Sequence, residues 1–199
     1  MKIKIIIFYL LISSLSFSQS LEVGAGVGTG STYIVENSDK SVNINYKTPS
    51  SIYTDLKYIP SNSNIGVMLR YQYTNTSVNG QKWFEVNQNF NAIVGDNSLF
   101  LLIEYIKTNE QKVSFGGNAG LGYTKQTINF TDENYSIENS FPSVNISGIV
   151  NYRFSNKFSI KLQPTFQFFD PISGMKIKQY NFAKEDIHFL ALLGVSYKL

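Results

Sequence analysis

The feature that most constrains this chain is its final stretch. From Asp186 to Leu199, Ile187, Phe189, Ala191, Leu193, Val195, Tyr197 and Leu199 alternate with His188, Leu190, Leu192, Gly194, Ser196 and Lys198. A two-residue period belongs to a strand, because successive side chains leave a strand on opposite faces. One face here is wholly apolar. A strand at the end of the sequence has no following helix to cover that face, so it must meet other strands, a ligand or lipid.

The other end carries an export signal. Met1-Lys2-Ile3-Lys4 precedes an apolar run from Ile5 to Leu11 that passes through Ile12 and Leu15 to Ser16-Phe17-Ser18. A basic start, a short apolar core and small residues before Gln19 make residues 1–18 a cleaved signal peptide. The run is too short for a single-pass anchor, which needs roughly 20 apolar residues. Losing Lys2 and Lys4 from the 17 basic side chains leaves the mature chain nearly neutral against 14 acidic ones. Nothing in that balance attracts nucleic acid. The chain has no cysteine, which excludes a disulfide scaffold and a lipid anchor on an N-terminal cysteine. Residues 19–199 suit one domain, and the aromatic, Asn, Ser and Thr content reads as all-β with polar loops. No later apolar run could cross a membrane as a helix, so any spanning element must be a strand.

Eight strands follow from the alternation. The first is 21–34, with Leu21, Val23, Ala25 and Val27 opposed to Glu22, Gly24, Gly26 and Gly28. The second is 52–58 and the third 65–74, where Ile65, Val67, Leu69, Tyr71 and Tyr73 oppose Gly66, Met68, Arg70 and Gln72. The fourth is 99–107, the fifth 113–126, the sixth 143–154, the seventh 158–168, and the closing stretch is the eighth. Residues 83–94 also alternate in part. A ninth spanning strand there would leave the chain ends on opposite sides, whereas single-chain bacterial barrels have even strand numbers, so 77–97 reads as a loop containing a strand extension. Pro164 lies inside a strand and cannot donate to the ladder, which predicts a bulge.

Connections alternate in length. Long polar loops fall at 35–50, 77–97, 127–141 and 170–185, and short turns at 60–64, 109–111 and 155–157. Transmembrane barrels carry short periplasmic turns and long extracellular loops in that phase. Charged residues make up 16% of the chain, yet none sits among the apolar positions of these strands. One charge at mid-bilayer costs roughly 2–4 kcal/mol, so a lipid-facing surface excludes charge in this way. Aromatic residues gather near strand ends: Tyr58, Tyr105, Tyr152, Phe154, Phe158 and Tyr197 by the short turns, and Tyr33, Tyr73, Tyr123, Phe168 and Phe189 by the loops. These match two interfacial girdles. The fold class is therefore an all-β, eight-stranded antiparallel up-and-down transmembrane β-barrel after a cleaved signal peptide.

Several short stretches carry a resemblance: Gly24-Ala25-Gly26-Val27-Gly28, Gly117-Asn118-Ala119-Gly120-Leu121-Gly122-Tyr123, Tyr152-Arg153-Phe154-Ser155-Asn156-Lys157-Phe158-Ser159, Gln163-Pro164 and Gly194-Val195-Ser196-Tyr197-Lys198-Leu199. Through these the chain resembles the bacterial outer-membrane protein β-barrel domain family, the small porin-like barrels akin to the transmembrane domain of outer-membrane protein A. The resemblance covers the whole mature chain and implies location in the outer membrane of a Gram-negative envelope. It implies no activity. Such barrels usually end on an aromatic residue, whereas here Tyr197 is third from the end and Leu199 is last.

If the apolar faces meet lipid, the opposite faces fill a narrow lumen. Eight charged residues share it: Glu22, Asp55, Lys57, Arg70, Glu104, Arg153, Lys161 and Lys198. Buried charges must be paired or solvated, which predicts a salt-bridged core centred on Arg70, Glu104, Arg153 and Glu22 that closes the lumen. Gly24, Gly26, Gly28 and Gly30 have the wrong spacing for a dinucleotide-binding loop and instead make room for long side chains across the lumen. His188, the one histidine, could be drawn into a hydrolase triad with Asp170, Ser173 and Asp186, but a rim histidine in such a barrel reads as a polar lumen residue. No metal site is expected, and the loop acids Asp132, Glu133, Glu138 and Glu185 read as solvated surface in place of a calcium site.

No enzyme activity and no cofactor are expected. The leading function is a structural or interaction barrel whose partners are the lipid bilayer and, through the loops, another envelope protein or an extracellular ligand. A narrow channel and a soluble exported carrier of lipocalin type, with the apolar faces lining a cavity, stand as alternatives, because a two-residue period alone does not say which face is inside.

Overall fold

The computed structural model describes residues 20–33, 43–61, 63–83, 86–107, 112–132, 135–171 and 187–199. The expected signal peptide, residues 35–42 of the first expected loop and residues 172–185 of the last lie outside them. The described residues form nine strands: β1 (Ser20–Tyr33), β2 (Asn43–Tyr46), β3 (Ser50–Ile59), β4 (Ile65–Trp83), β5 (Val86–Ile106), β6 (Val113–Phe130), β7 (Tyr135–Arg153), β8 (Phe158–Phe169) and β9 (Ile187–Lys198). Taken in the order β1-β3-β4-β5-β6-β7-β8-β9, each pairs antiparallel with the next, and β9 returns to β1 from Glu22↔Lys198 to Tyr33↔Ile187. The sheet is thereby a closed eight-stranded barrel, as the alternation predicts. The short β2 lies outside the cycle and pairs with the far end of β4, Asn43↔Gln81 to Tyr46↔Val78.

The direction of the faces settles what surrounds the barrel. Leu101, Phe115 and Leu121 point outward at 60%, 65% and 70% exposure, while Arg70, Gln72 and Gln163 point inward at 0%. A chain in water would reverse this polarity, since burying apolar surface stabilises a fold and an outward leucine gains nothing. With hydrocarbon outside, the arrangement is the stable one, because the closed ladder leaves no backbone polar group facing lipid. The carrier reading is thereby overturned: the apolar faces do not line a cavity.

Two of the four expected long loops are instead hairpins. Strands β4 and β5 run on past the barrel and are paired up to Trp83↔Val86, and β6 and β7 continue to Phe130↔Tyr135. Residues 77–97 and 127–141 are thus mostly strand, and the alternation at 83–94 is the outer half of β5, not an extra crossing. These four neighbouring strands have 18 to 21 residues, whereas a tilted crossing needs about 9–11. One side of the barrel therefore rises beyond the bilayer as a wall.

Within that wall the polarity turns over. In the barrel, the outward positions Leu99, Leu101 and Ile103 of β5 are apolar. Further out the inward positions Phe90, Ala92 and Val94 are, and they pack with Val78, Ile128 and Phe130 into a buried cluster against which Ile44, Tyr46 and Ile137 rest. Outward neighbours there include the polar Asn91 and Asn129, with Ile93 an apolar exception. Where water replaces hydrocarbon outside, the apolar side of the same strands must turn in.

The bulge expected at Pro164 is absent. Pairing of β7 with β8 passes from Ser147↔Thr165 to Val150↔Leu162 with no change of register. A β-carbon placed on Gly148 would meet the proline ring at 3.5 Å, an ordinary van der Waals contact, so the ring is uncrowded there.

Candidate functional site: the charged lumen

The inward positions of the strands bring the predicted charges into two groups. Deep in the lumen, Arg70 of β4 forms a bidentate pair with Asp55 of β3, Nε to Oδ1 at 2.7 Å and Nη2 to Oδ2 at 2.8 Å. The two residues are directly opposite in the β3–β4 register, so the ladder itself aligns the fork with the carboxylate. Such forked contacts are among the stronger charge-assisted hydrogen bonds. The guanidinium also lies 4.4 Å from the centre of the Tyr53 ring and donates from Nη2 to Gln163 Oε1 at 2.8 Å. Gln163 in turn donates to the Tyr53 hydroxyl at 3.1 Å.

Nearer the short turns, Lys57, Lys161, Glu22 and Glu104 form a square. Lys57 Nζ is 2.7 Å from Glu22 and 2.7 Å from Glu104. Lys161 Nζ is 2.6 Å from Glu22 and 3.5 Å from Glu104. Each ammonium bridges both carboxylates, so two positive and two negative charges cancel in a buried site where an unpaired charge would be costly. The centre expected on Arg70, Glu104, Arg153 and Glu22 thus divides: Arg70 pairs with Asp55, and the glutamates are held by Lys57 and Lys161. Arg153 and Lys198 lie at the mouth by the short turns, where they line a cavity of about 180 Å³ whose floor is the square.

Contacts cross the lumen between strands on opposite sides of the cycle. Arg70 of β4 reaches Gln163 of β8, and Gln72 of β4 donates to Gln167 of β8 at 3.0 Å. Gln167 donates to Ser98 at 3.1 Å, and Ser98 and Thr124 share a 2.8 Å bond. Apolar side chains fill the remaining section, in one cluster of Tyr53, Leu190 and Leu192 and another of Met68, Phe100 and Leu102.

His188 lies buried towards the outer end, with Nε2 3.8 Å from Asp96 Oδ2 and its ring edge-on to Phe169. Asp96 is the neighbour that the sequence reading missed; it also accepts from Gln126 at 3.0 Å. Asp170 is buried with φ 42°, a conformation Asp tolerates, and Ser173 and Asp186 lie outside the described residues. Of the loop acids, Asp132 accepts from Asn91 at 2.9 Å and Glu138 pairs with Lys125 at 2.9 Å, while Glu133 and Glu185 lie outside. Among the described residues no three His, Asp or Glu side chains gather as metal ligands would.

The aromatic residues singled out near strand ends all sit on the outward side. Tyr105, Tyr123, Tyr152, Phe154, Phe158 and Phe189 are exposed, and Tyr58, Tyr73, Phe168 and Tyr197 half-buried. Phe158 contacts Tyr197 at 4.7 Å between ring centres and Phe154 at 5.8 Å; Phe166 and Phe189 are 4.9 Å apart.

No family model and no curated protein matches the chain. Solved structures do. A major outer membrane protein from Thermus thermophilus is 10% identical over 90% of this chain and 99% of its own, with a TM-score of 0.59. The outer membrane protein OprG from Pseudomonas aeruginosa is 12% identical over 92% of this chain and 96% of its own, TM-score 0.55. Ail, the attachment invasion locus protein of Yersinia pestis solved with the heparin analogue sucrose octasulfate, is 15% identical over 92% of this chain and 100% of its own, TM-score 0.53. At such identities the likeness is one of fold: the chain has the architecture of the small bacterial outer-membrane barrels.

Proposed function

We propose that the chain is exported by the leader at 1–18 and resides in the outer membrane as a barrel with no enzyme activity, closed to solutes, that meets its partners at the long-strand end. Phe154, Phe158 and Tyr197 at one level and Tyr123, Phe166 and Phe189 at the other serve as the interfacial belts, where amphipathic rings sit at headgroup depth. The observation that carries the closed lumen is the direct bonding of opposite walls, Arg70 to Gln163 at 2.8 Å and Gln72 to Gln167 at 3.0 Å. A pore needs water where those side chains meet. The wall formed by the outer halves of β4–β7 supports a role in contact: its outward face is rich in amides and hydroxyls, and another envelope protein or an extracellular ligand is the partner it would meet.

Fractionation, heat-modifiable gel migration and planar-bilayer conductance test the reading together. It predicts recovery in the outer membrane, a folded form that migrates differently when unheated, and no stepwise conductance. Glu104→Gln should lower thermal stability and raise leakage, since it removes charge from one corner of the square. Steady ion conductance by the unmutated protein would replace the closed barrel with a narrow channel.

A further inference from the structure

We propose that the outward face of β2, β4 and β5, at the top of the wall, binds a neutral glycan, a hydroxyl-bearing sugar chain presented from outside the cell. The inference deepens the contact role proposed above and rests on it for the side to which the wall points.

The site follows from the register. Asn45 of β2, Asn79 of β4 and Asn91 of β5 stand side by side in one row across three strands, and two residues further out Gln81 of β4 faces Asn89 of β5 in a second row. Between the rows run Ile44, Gly80 and Phe90. Ile44 and Phe90 turn their side chains into the apolar cluster of the wall, so the residues on either side of them project outward. There Asn45, Gln81, Asn89 and Asn91 are exposed and Asn79 is half-buried. Two rows of amides thus wall an open groove of about 570 Å³ whose floor is the backbone of the row between them.

The chemistry of the groove narrows its occupant. Among the described residues that line it none is charged, so it sets up no field to hold an ion. On β6 and β7 the same face carries the Lys125–Glu138 ion pair, which marks the uncharged patch as a feature of the β2–β4–β5 side. The floor has no free edge along β4, which is bonded to β2 on one side and to β5 on the other, and so offers nothing for an added strand of peptide to pair with. What the walls present is amides. Each carries a carbonyl acceptor and an NH₂ donor in one plane, and a sugar hydroxyl, itself donor and acceptor, engages both.

The amides are also available. Among the described residues the side chains of Asn45, Asn79, Gln81 and Asn89 make no hydrogen bond to protein. Asn91 is fixed from behind, its backbone N–H and its Nδ2 donating to Asp132 at 3.0 and 2.9 Å, which leaves its Oδ1 to accept from a ligand. Neighbouring strands lie about 4.7–4.9 Å apart, close enough for two amides of one row to reach hydroxyls of one sugar. Ile93, 38% exposed on the same face one row nearer the barrel, supplies an apolar edge for the C–H side of the ring.

The test is NMR titration of the folded full mature protein in zwitterionic micelles with maltoheptaose, cellohexaose and mannohexaose, and with hexagalacturonate as the charged counterpart. At least one neutral sugar should shift the side-chain amide resonances of Asn79, Gln81, Asn89 and Asn91 saturably, with little dependence on salt because no charge pair forms. The pair of substitutions Asn79→Ala and Asn89→Ala, one from each row, should weaken that binding at least about tenfold, through the loss of several neutral hydrogen bonds. Asn129→Ala, on the same face outside the groove, should leave it unchanged, and heat-modifiable migration confirms that each variant folds. Silence of the four resonances towards all three neutral sugars would overturn the site, as would binding indifferent to Asn79 and Asn89. A preference for hexagalacturonate that fades with salt, or tighter binding of a flexible glycine–serine decapeptide, would assign the face to an acidic ligand or to a peptide and overturn it as well. The contact reading beneath it fails separately: a tag inserted between β6 and β7 that intact cells hide from antibody would refute the outward wall and leave sugar binding by the purified protein standing.

Discussion

The phenol of Tyr53 occupies the space that a β-carbon on Gly194 would need. Gly194 faces Gly26 across the β1–β9 pair, so the seam that closes the barrel has two bare backbone positions side by side, and a β-carbon at Gly26 would come within 2.6 Å of the same ring. Into that notch β3 lays Tyr53, whose face carries the Arg70 guanidinium. The glycines of the seam and the deep ion pair are therefore one packing problem.

Gly194→Ala should destabilise the barrel by about 1–3 kcal/mol, the usual cost of overpacking a tight interior, read as an earlier midpoint of urea unfolding in micelles. Adding Tyr53→Ala should recover part of that loss, because residues in contact do not contribute independently. Strict additivity of the two changes would show that the notch is not what holds the ring.

Asp55→Asn should be costlier, about 3–5 kcal/mol, because it leaves the fully buried Arg70 without its countercharge. Replacing both partners, Asp55→Leu with Arg70→Met, should cost less than the single change, since a buried pair exchanged for apolar residues of similar volume is often neutral. If the double variant were the less stable of the two, the pair would be a net source of stability beyond its own desolvation.

The eight crossings and the face each presents to lipid were legible because hydrocarbon enforces one rule on every strand, apolar outward. The wall was not legible as strand for the same reason. Past Tyr73 and Tyr123 the medium changes, so Val78, Phe90, Ala92, Val94, Ile128 and Phe130 take the inward phase, and a search holding one phase sees the pattern dissolve into loop. The signal was present in Asn89-Phe90-Asn91-Ala92 as an alternation of reversed sense. In the lumen, the identity of the charges followed from their phase, but their partners did not. Side-chain reach across a barrel depends on stagger, which no single strand's sequence encodes, and so Asp55 as the mate of Arg70 and Asp96 as the neighbour of His188 came only with the register.

The change of medium along one strand gives a direct test. Leu121→Lys places a cation on the outward face of β6 amid the apolar belt and should cost about 2–4 kcal/mol, as it does at a bilayer midplane. Asn129→Lys, on the same strand and the same face but in the wall, should fall within about 0.5 kcal/mol of the parent, like an ordinary surface change. Folding in lipid vesicles followed by urea titration measures both. Equal effects at the two sites would mean that no boundary between hydrocarbon and water falls between them.

The wall has its own apolar cluster, separate from the two clusters in the lumen, which makes it a candidate for opening independently. Ile128 is fully buried there, and Ile128→Ala removes enough side chain to cost about 2–5 kcal/mol in a packed core. That energy is local: the barrel below keeps its closed ladder and its ion pairs, and regions with their own contacts open as separate units. Proteinase K added to the reconstituted variant should therefore cut between β6 and β7 faster than in the parent, while the unheated barrel band and the urea midpoint stay in place. Phe100→Ala, which empties part of the lumen, should show the reverse, an earlier midpoint with cleavage of the wall unchanged. A shared response of cleavage and midpoint to both substitutions would show that wall and barrel unfold as one body.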